Sequence, residues 1–180
     1  LCLLNAGQDV ILSIREAHNF GLAPKVPIVI GWGVGTEDFV QLDAKTRENL
    51  WVGTNAYYTV NTPVAKKYAE TYQKKFGVPP GYAPNAAYGM TRLVLRGIEK
   101  AKSAEPADVA KALERWETED WPGKVWINPK THQTVRDYFF LRCKKPDQMK
   151  HQHDYADIVA GSSRPLMPDD VNECKDIGTL

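Results

Sequence analysis

The residues best placed to do chemistry form the run Gly31-Trp32-Gly33-Val34-Gly35. It follows a short apolar stretch, Pro27 to Ile30, and precedes Thr36 with Glu37 and Asp38, the pattern of a strand feeding the capped first turn of a helix. A dinucleotide loop needs a further glycine where Thr36 stands, so the fingerprint fails. What remains is a flexible loop at the carboxyl end of a parallel strand, the usual place for a ligand in an open α/β sheet. Trp32 offers an aromatic wall there, and its flanking glycines let the backbone approach a ligand closely; the competing role is simple surface packing. One unit earlier, Asn5, Gly7 and Gln8 occupy the equivalent strand-to-helix turn, where amide groups can hold a carboxylate without a charged side chain. Asn5 and Asp9 also read as helix caps, and capping is the expected role of Asp9.

Other chemistries find little support. Of His18, His132, His151 and His153 only the last two are close, and an i, i+2 pair shares no helix face, so no metal site is expected. There is no Gly-x-Ser-x-Gly elbow and no nucleophile-base set, which argues against an enzyme. No cofactor is expected. Tyr57, Tyr58, Trp116 and Trp121 read as core aromatics. The three cysteines, Cys2, Cys143 and Cys174, are too far apart for a zinc knuckle or a redox pair. Cys2 reads as a small buried hydrophobe. Cys143 ends a predicted strand and Cys174 lies in a polar tail without an apolar anchor, so a disulfide between them is expected. It would contribute roughly 2–4 kcal/mol and imply an oxidising compartment. On cysteine count alone, two unpaired thiols in the cytosol fit as well.

The elements that position these residues follow from periodicity. Leu1 to Leu4 is an apolar run that reads as a buried strand, and Val10, Ile11, Ile14 and Ala17 then recur at helical spacing until Gly21. A chain opening inside such a strand is expected to continue a longer polypeptide that holds part of the site. Leu50 to Tyr58 gives a third strand, completing the alternation of a parallel sheet covered by helices. Thr62-Pro63 starts a helix that Gly77 closes. A second helix, from about Pro84 to Lys102, is apolar around much of its circumference and predicts deep burial. A shorter helix runs from Pro106 through Trp116, and Lys124 to Ile127 and Val135 to Cys143 read as a strand pair. From Lys144 the chain is polar, with a short turn near Tyr155 to Val159.

Composition narrows the class further. With 43% hydrophobic and 25% charged side chains, 180 residues can bury a sizeable core. A formal net charge of +1 without a basic block gives no footprint for nucleic acid, and the apolar runs fall far short of a membrane span.

In order and in several residues the chain resembles the C-terminal half of the periplasmic solute-binding proteins of branched-chain amino acid ABC transporters, the leucine/isoleucine/valine-binding family. The stretches that carry the resemblance are DVILSIREAHNFGL (9–22), IGWGVGTEDF (30–39), NLWVGTNAYY (49–58), AKKYAETYQKKFGVPPGYAPNAAYGMTRLVLRGIEKA (65–101) and KVWINPKTHQTVRDYFFLRCKK (124–145), within residues 1–148.

The resemblance implies the type I periplasmic-binding-protein fold, a two-lobed clamp with helix-covered parallel sheets. Residues 1–55 would belong to the C-terminal lobe, 56–135 to the N-terminal lobe, 136–148 would return, and 149–180 would form a surface tail. Hinges would lie near Thr54 to Tyr57 and Arg136 to Tyr138. The implied function is an extracytoplasmic, periplasmic component of an ABC importer that delivers a small organic solute to an inner-membrane permease; a sensor domain using the same clamp is the alternative. Ligand contacts carry over to Gly7 and Gln8 and to Trp32, Gly33 and Val34, with Asn5 beside them. Amino-acid binders of the family place an acid in the second loop, and Trp32, Gly33 and Val34 supply none. That departure favours a carboxylate, amide or aromatic solute over a free amino acid. The family's serine and threonine carboxylate clamp would lie in the missing N-terminal half.

Overall fold

The computed structural model describes residues 1–162 apart from Pro24, Arg115 and Pro122. Strand β1 (Cys2–Leu3) leads into helix α1 (Gln8–Asn19), which buries Val10, Ile11, Ile14 and Ala17 and no residue of its outer face. That spacing is one apolar stripe of a 3.6-residue period. Gly21, at φ 65°, turns the chain away from the helix. Strand β2 (Val29–Ile30) is followed by the single-turn helix α2 (Thr36–Phe39). The N-cap of α2 is Gly35 rather than Thr36, because the Asp38 carboxylate accepts the Gly35 N–H at 3.0 Å and so takes the capping role. Thr36 is buried instead, its hydroxyl 3.2 Å from that of Tyr155.

Strand β3 (Trp51–Thr54) ends four residues before the expected Tyr58, where the chain leaves the sheet. Helix α3 (Pro63–Phe76) follows the sequence closely: the Thr62 hydroxyl accepts the Ala65 N–H at 3.2 Å, and Gly77 closes the helix at φ 78°. Helix α4 (Tyr82–Ala101) is less buried than its composition suggested, with Tyr88, Met90, Val94 and Leu95 all exposed. Its inward stripe is Asn85, Gly89, Leu93 and Gly97, mostly small residues. At Gly97 a β-carbon would stand 2.9 Å from side-chain carbons of both Val109 and Leu113, so a glycine there is what lets helix α5 (Pro106–Leu113) pack this closely. Helix α5 stops at Leu113, three residues short of the expected Trp116, and strand β4 (Glu117–Trp121) follows.

Strands β5 (Gly123–Ile127), β6 (Thr134–Val135) and β7 (Tyr138–Cys143) come next. The expected single strand from Val135 to Cys143 is divided: β6 pairs with β5, whereas β7 joins another sheet. After a 3₁₀ turn at Pro146–Gln148, strand β8 (Ala156–Ser162) forms where a short turn in a polar tail was expected. Its backbone pairs with β7 over its whole length, and the partner strand, absent from local periodicity, is what makes it a strand.

Two sheets result: a five-stranded sheet in the order β1-β2-β3-β7-β8 and a three-stranded antiparallel sheet β4-β5-β6. In the larger sheet β1, β2 and β3 run parallel, while β7 is antiparallel to both neighbours, so the sheet is mixed rather than wholly parallel. The α/β class stands. The main core lies between α1, α2 and this sheet, with Ile11, Ile14, Ile30, Phe39, Leu141 and Tyr155 at its centre. Phe39 and Tyr155 stack there with ring centroids 5.2 Å apart.

Candidate functional site

Because β1 and β2 are adjacent and parallel, the turns that follow them emerge side by side at their carboxyl ends. The two turns are bonded to each other: the Gly7 N–H donates to the Gly33 carbonyl at 2.8 Å. Gly33 sits at φ 96°, and a β-carbon on it would lie 2.8 Å from the β-carbon of Ala6. Glycine is required at this point by both backbone angle and space.

The side chains sort differently from the sequence expectation. Asn5 Nδ2 donates to Ser13 Oγ at 2.9 Å and thereby ties its turn to α1, a structural bond. Gln8 Nε2 donates to Gln41 Oε1 at 3.0 Å, linking α1 to the segment after α2. Val34 points into the core and is 4% exposed, so its side chain is not presented to a solute. Trp32 is 41% exposed, and its ring meets Tyr82 at 5.8 Å and Tyr138 at 5.9 Å, both edge-on. These are favourable aromatic geometries. Tyr82 opens α4 and Tyr138 opens β7, so Trp32 gathers three segments distant in sequence.

Sequence reasoning missed Tyr82, Tyr138 and Glu37. The Glu37 carboxylate lies against both Gly35 and Gly81, so that a β-carbon on either glycine would collide with it. An acid therefore does stand beside the Gly31 to Gly35 loop, brought there by the single turn of α2. The available signal was the glycine before Tyr82, which marks a close approach without naming the partner. Beside Tyr138, burial pushes the Arg136 guanidinium down from its usual range, opposed by its hydrogen bond with Tyr138. Burial also raises the Asp137 carboxyl.

Elsewhere the candidates are structural. His151 and His153 have ring centroids 6.2 Å apart, and among the described residues no group of three or more histidines, cysteines or acids is placed to hold a metal. His132 Nε2 lies 3.2 Å from Glu114 Oε1. Cys143 is a free thiol sealed in the core at 3% exposure; its expected disulfide partner, Cys174, lies outside the described residues. Cys2 is exposed rather than buried, because β1 is an edge strand. A groove of 610 Å³ on α3 and α4, walled by Tyr68, Tyr72, Phe76 and Tyr88, shares no residue with the Trp32 cluster. Among the described residues no helix is long and apolar enough to cross a membrane.

The sequence over residues 1–148 matches the periplasmic binding protein family. The chain belongs to that family. The resemblance to branched-chain amino acid-binding proteins, and with it the type I fold, is borne out. An amino acid ABC transporter substrate-binding protein from Pseudomonas fluorescens Pf-5 superposes with a TM-score of 0.88 at 27% identity, covering 97% of this chain and 46% of that one. A periplasmic binding protein from Burkholderia mallei gives 0.79 at 24% identity, over 89% of this chain and 42% of that one. A leucine-binding protein from Thermotoga maritima MSB8 gives 0.73 at 21% identity, over 94% and 45%. Comparison with curated protein sequences gave no match. The chain thus spans less than half the length of the solved structures it matches. Its family is one of solute-binding components, which fits a site built from backbone turns and aromatic rings.

Proposed function

We propose that the chain is the solute-contacting part of a periplasmic component of an ABC importer, which hands a small organic solute to an inner-membrane permease. The observation that carries this reading is the pair of turns locked by the Gly7 to Gly33 hydrogen bond, with Trp32 beside them against Tyr82 and Tyr138. Backbone amides of the two turns would orient the solute and Trp32 would cover its apolar body. The 27% identity to an amino acid ABC transporter protein supports the importer role. In this reading residues 1–55 and 136–148 form one lobe and 56–135 part of the other, with a hinge at Thr54 to Tyr57 and Arg136 to Tyr138. An N-terminal half of the same protein would complete the clamp, and strand β8 extends the sheet of the first lobe. The solute range is amino acid-like molecules, carboxylates, amides and aromatic acids. Glu37 beside the loop keeps an ammonium-bearing solute within that range.

Calorimetric titration of the full protein with leucine, an aromatic acid and an amide tests the reading. Trp32→Ala should weaken the bound solute by about 1 kcal/mol or more, through lost aromatic contact. Binding that Trp32→Ala leaves unchanged would remove the loop from the site.

A further inference from the structure

Where the chain leaves β3 for α3, Asn55 is 4% exposed, and among the described residues neither its Nδ2 nor its Oδ1 has a hydrogen-bond partner. The Tyr68 hydroxyl on α3 is likewise buried and unpaired. Both residues line one small internal pocket of 10 Å³, which Asn85 and Phe139 also border. The remaining wall comes from Tyr57 and Tyr58 with Ala56, Val60, Ala65, Ala69 and Pro80.

Buried polar groups are almost always paired, and a buried amide with both of its atoms orphaned is rare. Purely apolar voids stay dry, but a polar one of about 10–15 Å³ holds a single water when it offers two or more partners. This pocket meets both conditions. Asn55 Nδ2 can donate, Oδ1 can accept, and the Tyr68 hydroxyl can do either. No carboxylate borders it.

We propose that this pocket is a built site for one water molecule, hydrogen-bonded to Asn55 and to the Tyr68 hydroxyl. The pocket is bordered by the outgoing segment 55–58 and by Phe139 of the returning strand β7, together with α3 and the start of α4. The water therefore joins the outgoing crossing at Asn55 to α3 at Tyr68, beside Phe139 of the returning strand. A water can swing its hydrogen bonds as these segments rotate, which a direct bond between side chains cannot do. The site stands on the pocket alone; its role in hinge motion rests on the two-lobe reading above.

The test is a high-resolution crystal structure of the full protein, with thermal denaturation of Asn55→Leu and Tyr68→Phe. The expected result is a density peak within hydrogen-bond distance of the Asn55 amide and Tyr68 Oη, and a melting temperature lowered by about 2–6 °C in each variant. A pocket without density, or one filled by a side chain from elsewhere in the polypeptide, would overturn the proposal. So would a higher melting temperature for Asn55→Leu, the outcome for an amide that is dry and unpaired. Neither readout uses solute, so failure here leaves the importer reading standing, and failure of solute binding leaves the water site standing.

Discussion

Replacing Gly33 by alanine should be among the most damaging single-methyl changes available in this chain. Two costs coincide there. At φ 96° an L-residue pays backbone strain of about 1–2 kcal/mol. The new β-carbon would also stand 2.8 Å from Ala6 Cβ and 3.2 Å from Ala6 Cα, well inside contact distance, an overpacking of about 1–3 kcal/mol. The sum, about 2–5 kcal/mol, is lowered only if the turns part, and parting them breaks the 2.8 Å bond from the Gly7 N–H to the Gly33 carbonyl. Gly7→Ala is a strain-only comparison: at φ 56° and ψ −130° its backbone favours glycine, but nothing lies within 4 Å of the added carbon, so strain alone should cost about 1–3 kcal/mol. Urea denaturation of both variants in the full protein gives the two losses, and the contact with Ala6 is read by relieving it. Adding Ala6→Gly to Gly33→Ala should recover part of the loss without touching the strain. No recovery in the double variant would refute the packing of the two turns.

Three further outcomes are expected. Asp154 accepts from Lys144 Nζ at 2.6 Å and from the Lys150 N–H at 3.0 Å; burial would raise its carboxyl, but these bonds outweigh it and hold it below its ordinary 3.8. Its contribution is therefore complete above pH 3.8 and is lost as pH falls through the lower folded value, so Asp154→Asn should cost about 1–3 kcal/mol at neutral pH and flatten the acid limb of stability against pH. Burial pushes the Cys143 thiol up to about 12, so without reductant it should resist iodoacetamide until the protein is denatured, while exposed Cys2 reacts at once; a Cys143–Cys174 peptide in the unreduced digest would contradict this. Gly81→Ala places a β-carbon against the Glu37 carboxylate, and because Glu37 is exposed and can swing away the cost should stay near or below about 1 kcal/mol, vanishing in the background of Glu37→Ala; an unchanged penalty there would separate the two groups.

What could be read locally was read correctly where the signal is local. The apolar stripe of α1, the Thr62 cap and Gly77 stop of α3, and the strand-loop-helix order around Trp32 each depend on residues within a few positions of one another. The sequence also placed Gly7 and Gly33 at the ends of neighbouring strands, since a strand-helix-strand alternation leaves few other arrangements. Tertiary structure decided the rest. Whether β7 runs with or against β3, and whether residues 156–162 are a strand at all, is set by pairing partners that no local period encodes. The helix α4 is apolar around much of its circumference, yet its inward face is chosen by the small side chains that α5 can approach, leaving Leu95 exposed. At the site, Asn5 and Val34 were lost to internal bonding and core packing, while Tyr82, Tyr138 and Glu37 were gained. Their positions along the chain carry no mutual signal; they meet because the sheet and α4 bring together segments up to about a hundred residues apart, and only the folded backbone fixes such long-range distances.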